Sequence, residues 1–320
     1  MVTIKDLANY TKISKSTISR YLNNGYVSPE KKELISKAIE ELGYTSNMIA
    51  KSLKTNQSMM IALIVPSVTN YFFSNISELI QQKISKVGYN LVLYTSNNDI
   101  DLEKKIIEQV LQTRADGLIV STGSKDCVKS YENLKVPIVA LDREISENIP
   151  LVISNNTLGS YELTMHLKNK GCKNILFIES ANEQAITSKY RKKGFLSCAL
   201  ENNITTKVIN DKDIEKVLAN KEIISKYDGI MVWNDQTAFE VSSILYKNNV
   251  IIGKEVLLTG YDDTDFSKYM NPPLTTAQQP VEQIADKTIE TLLKLIKGEN
   301  MANTKIEFHN KIIRRESTGD

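Results

Sequence analysis

The first 45 residues carry apolar side chains at helical spacing in three runs, and from Met59 onward that pattern gives way to short continuous apolar stretches alternating with amphipathic ones. Ile4, Leu7 and Ala8 form one stripe, and Ile18 and Leu22 a second, which predicts two helices too short to be stable alone. Ser14 stands where an N-cap would accept from the backbone amides of Ser16 or Thr17, so the chain is expected to turn sharply between Thr11 and Ser14. Two helices joined by so short a turn make a helix-turn-helix. Ser28-Pro29-Glu30 announces a third helix, which runs through Leu34, Ile35, Ala38, Ile39 and Leu42 to Gly43 and closes a three-helix core.

The stretch from Met59 to Asp320 is longer than one compact core usually holds, so two lobes are expected. Ile61–Val65, Asn90–Tyr94, Gly117–Val120 and Pro137–Leu141 are apolar runs of strand length, separated by helical stretches such as 76–87 and 102–111. The pattern restarts at Asn174–Ile178, Gly229–Trp233 and Val256–Gly260, interleaved with helices at about 158–169, 189–202 and 237–248. Strands buried on both faces and joined through helices imply α/β lobes built on doubly wound parallel sheets.

Charge adds a partner to this picture. Residues 1–58 hold eight Lys and one Arg against one Asp and four Glu, net +4, whereas the remainder is net −2. The exposed face of the second helix carries Lys15, Ser16, Thr17, Ser19 and Arg20 and no acid. That face suits the major groove of DNA, since Arg or Lys bridges O6 and N7 of guanine while hydroxyls hold phosphates or either base type.

Val2–Ala8, Ser16-Thr-Ile-Ser-Arg-Tyr-Leu-Asn23 and Ala38-Ile-Glu-Glu-Leu-Gly-Tyr44 resemble the headpiece of the LacI/GalR family of bacterial transcription regulators. The resemblance implies that Lys15, Ser16 and Arg20 read base edges, and that Thr3, Asn23, Tyr44 and Asn47 hold phosphates. Asn47–Lys54 is similar to the family's hinge helix, with Ala50 and Leu53 on one face, Leu53 wedging into the minor groove and Lys54 beside a phosphate. Two positions of the headpiece and hinge depart from the family, as does Tyr71 beyond them, which takes the place of the Pro common before Phe72-Phe73. Lys12 occupies a turn position where Gly is common, at a cost of about 1 kcal/mol if the backbone there is left-handed. Ser46 replaces the usual Pro before Asn47, leaving the hinge less pre-organised. The implied domains are a headpiece over 1–46, a hinge and linker over 47–58, and a periplasmic-binding-protein-like core over 59–320. In that core one lobe takes about 59–154 and 279–304 and the other about 155–278 and 305–320, with crossings near Ser154, Gln278 and Thr304.

Ligands of open parallel sheets bind beyond the carboxyl ends of the strands. Those ends carry Pro66–Phe73, Asp142-Arg143, Trp233-Asn-Asp235 and Gly260–Asp263, and such aromatics, amides and carboxylates suit a polyhydroxylated ring. By resemblance Phe72 and Phe73 stack on that ring, Asp142, Asn234 and Asp262 grip hydroxyls, Arg191 binds the ligand, and Gln278 lines the cleft at a crossover. Arg143, Lys189 and Arg191 add positive charge that favours a carboxylate or phosphate on the ligand, and Trp233 points either into the cleft or into the core.

His166 and His309 lie far apart, and Cys127, Cys172 and Cys198 lack metal-ligand spacing, so no metal, cofactor or Cys/His nucleophile is expected and nothing marks an enzyme. Scattered cysteines, the absence of a signal peptide and the absence of a membrane-spanning run fit a cytoplasmic protein. The expected function is a homodimeric operator-binding regulator, most simply a repressor of a carbohydrate-utilisation operon released by a small sugar or sugar-acid effector. Alternatives are a global catabolite regulator controlled by a phosphoprotein partner and, from another class, a sugar-binding transport protein, which would need export and have no use for a basic headpiece.

Overall fold

The computed structural model describes residues 2–22, 25–44, 57–122, 125–182 and 185–320. The chain divides into two compact units, Met1–Ser58 and Met59–Asp320.

In the first unit, helices α1 (Ile4–Thr11), α2 (Lys15–Leu22) and α3 (Pro29–Leu42) surround Leu7, Ile13, Ile18, Val27, Ile35 and Ala38. Leu34, expected on the core face, is instead exposed. The Thr17 amide donates to Ser14 Oγ at 3.3 Å, which starts α2 one residue after the turn. Ser28 precedes α3 with Pro29 at its first position, but its hydroxyl makes no capping bond. Thr3 caps α1 through a reciprocal box, the Asp6 amide donating to Thr3 Oγ1 and the Thr3 amide to Asp6 Oδ2.

Lys12 sits in the turn at φ 57°, ψ 20°, the left-handed conformation that disfavours a side chain bearing Cβ. Lys12→Gly is therefore expected to raise the stability of this unit by about 1 kcal/mol. Thermal denaturation of the full chain, followed by helix content, checks it; an unchanged or lower midpoint for this unit would show that the turn stores no such strain.

The second unit contains two six-stranded sheets. The first, ordered β11-β5-β4-β3-β1-β2, comprises β1 (Met60–Val65), β2 (Asn90–Thr95), β3 (Gly117–Val120), β4 (Ile138–Leu141), β5 (Leu151–Ser154) and β11 (Lys305–Phe308), all parallel. Helices α4 (Tyr71–Lys86) and α9 (Val281–Ile296) cover one face through Ile76, Ile80, Ile284 and Leu292, and α5 (Ile100–Thr113) covers the other through Ile106, Ile107 and Val110. The second sheet, ordered β12-β10-β9-β8-β6-β7, comprises β6 (Asn174–Glu179), β7 (Thr205–Asn210), β8 (Gly229–Val232), β9 (Leu257–Asp262), β10 (Thr275–Gln278) and β12 (Lys311–Ile313). It lies among α6 (Asn156–Asn169), α7 (Ile186–Glu201) and α8 (Asp235–Lys247).

The two-lobed core of parallel sheets is as expected, with two details refined. The second sheet is not wholly parallel, because β12, which begins two residues after β11 of the first sheet, runs antiparallel to β10. The last crossing falls after Phe308 rather than near Thr304, because Lys305–Phe308 first pairs with β5 and closes the edge of the first sheet.

The three crossings are tied to one another. Ser154 Oγ donates to Gln279 Oε1 at 2.6 Å, the Asn155 amide donates to the Phe308 carbonyl at 2.7 Å, and Asn310 Nδ2 donates to the Asn155 carbonyl at 3.0 Å.

Candidate effector cleft and DNA-reading helix

Helix starts place several cleft residues. Asn70 caps α4 by accepting from the amides of Phe72 and Phe73, which sets both rings at the head of that helix. They meet edge to face, ring centres 5.3 Å apart, and both are buried. Asp142 and Arg143 follow β4, and Asp262 ends β9; Asp142 (φ 63°) and Asp262 (φ 110°) hold positive φ, a strained conformation that concentrates at ligand sites.

These residues meet around a cavity of about 120 Å³, lined by the rings of Phe72 and Phe73, by Asp142, Arg143, Arg191, Asp262 and Gln279, and by Asn70, Asn98, Ser180, Asn182 and Trp233. The two arginines differ completely in how they are held. Arg191 Nε donates to Asn156 Oδ1 at 2.8 Å, Nη1 donates to the Trp233 carbonyl, Nη2 donates to Asp262 Oδ1 at 3.2 Å, and the guanidinium lies 3.6 Å from the centre of the Tyr261 ring. Gln279 Nε2 adds a second bond to Asp262 Oδ1 at 2.7 Å. Arg143 is as deeply buried, yet its Nε and Nη1, together with Asp142 Oδ1 and Trp233 Nε1, have no hydrogen-bond partner among the described residues. Buried polar atoms left unpaired are costly, so a cluster of them on residues lining one cavity makes it a candidate site for a ligand with hydrogen-bonding groups.

Electrostatics agree with this division. Burial pushes the Asp142 and Asp262 carboxyls above the usual carboxylate range, opposed at Asp142 by Arg143 and Arg191 and at Asp262 by Arg191 and the Gln279 amide. Burial draws the Arg143 guanidinium down, opposed by Asp142 and by Glu103, which is itself buried and accepts from Thr122 Oγ1 and Tyr131 OH. Asp235, at the start of α8, accepts from Thr276 Oγ1, Ser267 Oγ and the Thr264 amide, and burial pushes its carboxyl up to about 7.

Three sequence expectations change. Gln278 does not line the cavity: it is exposed and donates to Asp263 Oδ2, because alternation along β10 turns successive side chains to opposite faces and gives the cleft to Gln279. Asn234 caps α8 by accepting from the Thr237 amide and faces an adjoining depression that shares Asn70 and Trp233 with the main cavity. Lys189 is exposed and absent from the cavity lining. Sequence reading missed Gln279, Asn98 and Asn156; a run of two Asn after a strand, 155–156, is the one signal that could have found the last. Cys127, Cys172 and Cys198 are buried and form no disulfide, with Cys172 pushed up to about 12 and Cys198 to about 11 by burial. Among the described residues no His, Cys, Asp and Glu group could hold a metal ion, and no helix is long and apolar enough to cross a membrane.

In the first unit Lys15, Ser16 and Arg20 are exposed along α2, with Thr17 half-buried beside them. Ser14 Oγ lies within hydrogen-bond distance of Ser16 Oγ and Thr17 Oγ1, so the turn orients two hydroxyls of this face. The Thr3 hydroxyl is engaged by Asp6 at 2.7 Å, and Tyr44 is half-buried against the helical core. Asn23, Asn47, Ala50, Leu53 and Lys54 lie outside the described residues.

Residues 3–47 match the profile of the bacterial regulatory proteins of the lacI family, and residues 164–318 match the periplasmic binding protein-like domain. The ribose operon repressor of Halalkalibacterium halodurans is 32% identical over 324 residues, an alignment covering 99% of this chain and 97% of that one. The chain belongs to the lacI family. The sucrose operon repressor of Streptococcus mutans is another relative of this LacI-family regulator, 31% identical over 92% of each chain. A periplasmic binding protein/LacI transcriptional regulator from Alkaliphilus metalliredigens, complexed with D-xylulofuranose, is 32% identical with a TM-score of 0.75 over 82% of this chain and 100% of that one. The lac repressor dimer bound to operator and the anti-inducer ONPF has the same fold, with a TM-score of 0.88 over 99% of both chains at 23% identity.

Proposed function

We propose that this regulator is the repressor of a carbohydrate-utilisation operon, held on a pseudo-palindromic operator as a homodimer and released when one small neutral sugar occupies the cleft. The observation that carries the effector class is the set of unpaired atoms on Asp142, Arg143 and Trp233 around an aromatic-walled cavity. Donors and acceptors of both signs converge there, as alternating hydroxyls require. The two carboxylates balance the two guanidiniums, and Arg191 is already bonded to Asp262, so the floor has no surplus cation for a carboxylate or phosphate. This favours a neutral sugar over the sugar acid that the cations first suggested.

The relatives support the same reading, since they are repressors of ribose and sucrose operons and one is seen with a furanose. Exposed Val68 and Leu93 on one lobe, and Phe266 and Tyr269 on the other, supply apolar surface for a second copy. A regulator bound to chromosomal DNA works in the cytoplasm, and the reading assigns it no catalytic step. Effector and operator favour different arrangements of the two lobes, so each lowers the other's affinity by the same factor.

The test uses the full chain, a duplex selected by it from a randomised library, and a panel of pentoses, hexoses, sugar acids and sugar phosphates. At least one neutral sugar should raise the core's melting temperature and weaken duplex binding with no other protein present. If sugars that stabilise the core leave duplex affinity unchanged, the coupling is wrong; if release needs a phosphoprotein, the catabolite-regulator alternative holds. Arg20→Ala should cost about 1–3 kcal/mol and relax preference at one base pair of each half-site. Equal loss on selected and scrambled duplexes would make Arg20 a phosphate contact instead.

A further inference from the structure

We propose that Gly25 is a specificity-determining position because it seats the side chain of Arg20. The proposal rests on the reading of Arg20 as a base-reading cation. Two glycines of the first unit have opposite reasons to be glycine. Gly43 follows α3 in the left-handed region at φ +62°, and a Cβ there would meet nothing within 4 Å, so its requirement is conformational. Gly25 lies outside that region, yet a Cβ on it would stand 2.6 Å from Arg20 Cγ, 3.5 Å from Arg20 Cδ and 3.1 Å from the Arg20 carbonyl oxygen. What Gly25 provides is space, and the Arg20 methylenes occupy it.

The chain is held in that position by its backbone, since the Gly25 amide donates to the Arg20 carbonyl at 2.8 Å. The Gly25 backbone therefore lies against the point where the Arg20 side chain departs. A long side chain whose stem is already laid against backbone loses less rotamer freedom when its guanidinium meets a base. That gain belongs only to contacts that need Arg20 pointed in one direction. Phosphate contacts made by other residues do not share it.

The experiment measures affinities of the full chain for the selected duplex and a scrambled duplex at one salt concentration, for wild type, Gly25→Ala, Arg20→Ala and the double variant. Gly25→Ala should weaken binding to the selected duplex by about three- to tenfold, leave the scrambled duplex unaffected, and have no effect once Arg20 is alanine. No effect in wild type, an equal loss on both duplexes, or the same loss with and without Arg20 overturns the seat. If Gly25→Ala alone unfolds the unit, restoration of its melting transition in the double variant supports the proposal, whereas equally poor folding of both places the obstacle at the Arg20 carbonyl and overturns it. A failure of the underlying reading shows separately, as an Arg20→Ala variant that loses nothing on the selected duplex.

Discussion

Arg191→Met is expected to abolish effector binding and to lower the stability of the core by about 3–5 kcal/mol. The guanidinium joins four pieces of structure: α7, where it originates, Asn156 at the start of α6, the carbonyl of Trp233 after β8, and Asp262 at the end of β9. Removing it leaves the Asp262 carboxylate buried near Asp142, with the Gln279 amide as its remaining side-chain donor among the described residues. An uncompensated buried charge is among the few single changes that remove so much stability. Arg191→Lys should recover little, because a point-like ammonium cannot reach three acceptors in one plane and stack on Tyr261 at the same time. Denaturant unfolding of the full chain checks the stability arm, and calorimetric titration with the sugar found in the panel checks the other. An unfolding midpoint equal to wild type would show that the bonds around Arg191 do not hold the cleft together.

Arg143→Met should give the opposite combination: effector affinity falls at least about a hundredfold, while stability changes by less than about 1 kcal/mol. Two unpaired guanidinium nitrogens, each gaining about 1.5–3 kcal/mol from one charge-assisted bond, account for the loss of affinity. Stability is largely spared because the attraction to Asp142 and Glu103 that is lost is offset by the larger burial cost of the cation: among the described residues its Nε and Nη1 bond to nothing, and its guanidinium lies 5.7 Å from the centre of the Phe73 ring. Burying a cation without partners is costly, and a methionine of similar length removes that cost. The two arginine variants measured side by side separate a residue that builds the site from one that waits for the ligand. Should Arg143→Met unfold as readily as Arg191→Met, Arg143 is part of the scaffold and the effector contacts must be sought elsewhere.

The sequence showed much of the fold and less of the site, and the residues explain the difference. Runs such as Ile61–Val65 and Gly229–Val232 are buried on both faces, so their character is continuous and readable. β7, Thr-Thr-Lys-Val-Ile-Asn, lies at a sheet edge with one side in solvent and leaves no such run. β10 is buried but polar, because Thr275 and Thr276 find partners in the Arg315 carbonyl and Asp235 that only tertiary structure supplies. Helices α4, α5, α6 and α8 begin two to five residues before the starts expected from periodicity, just after the N-caps Asn70, Asp99, Asn155 and Asn234, whose side chains satisfy the first free amides. In the site, Gln278 and Gln279 are indistinguishable until the register of β10 is known. Arg143 and Arg191 are likewise the same letter, and only the hydrogen bonds around each reveal that one is spent and the other available.

The ties among the three crossings bear on how a molecule as small as a sugar could be noticed elsewhere in the protein. Three adjacent connections bonded to one another resist sliding and twisting far more than they resist bending together, so the lobes are left one soft coordinate, an angle. Gln279 belongs both to that joint and, through Asp262, to the cleft floor. A ligand gripping Asp262 thus pushes close to the pivot, like a hand on a door beside its hinge pins, where a sub-ångström displacement becomes a wide sweep at the far rim.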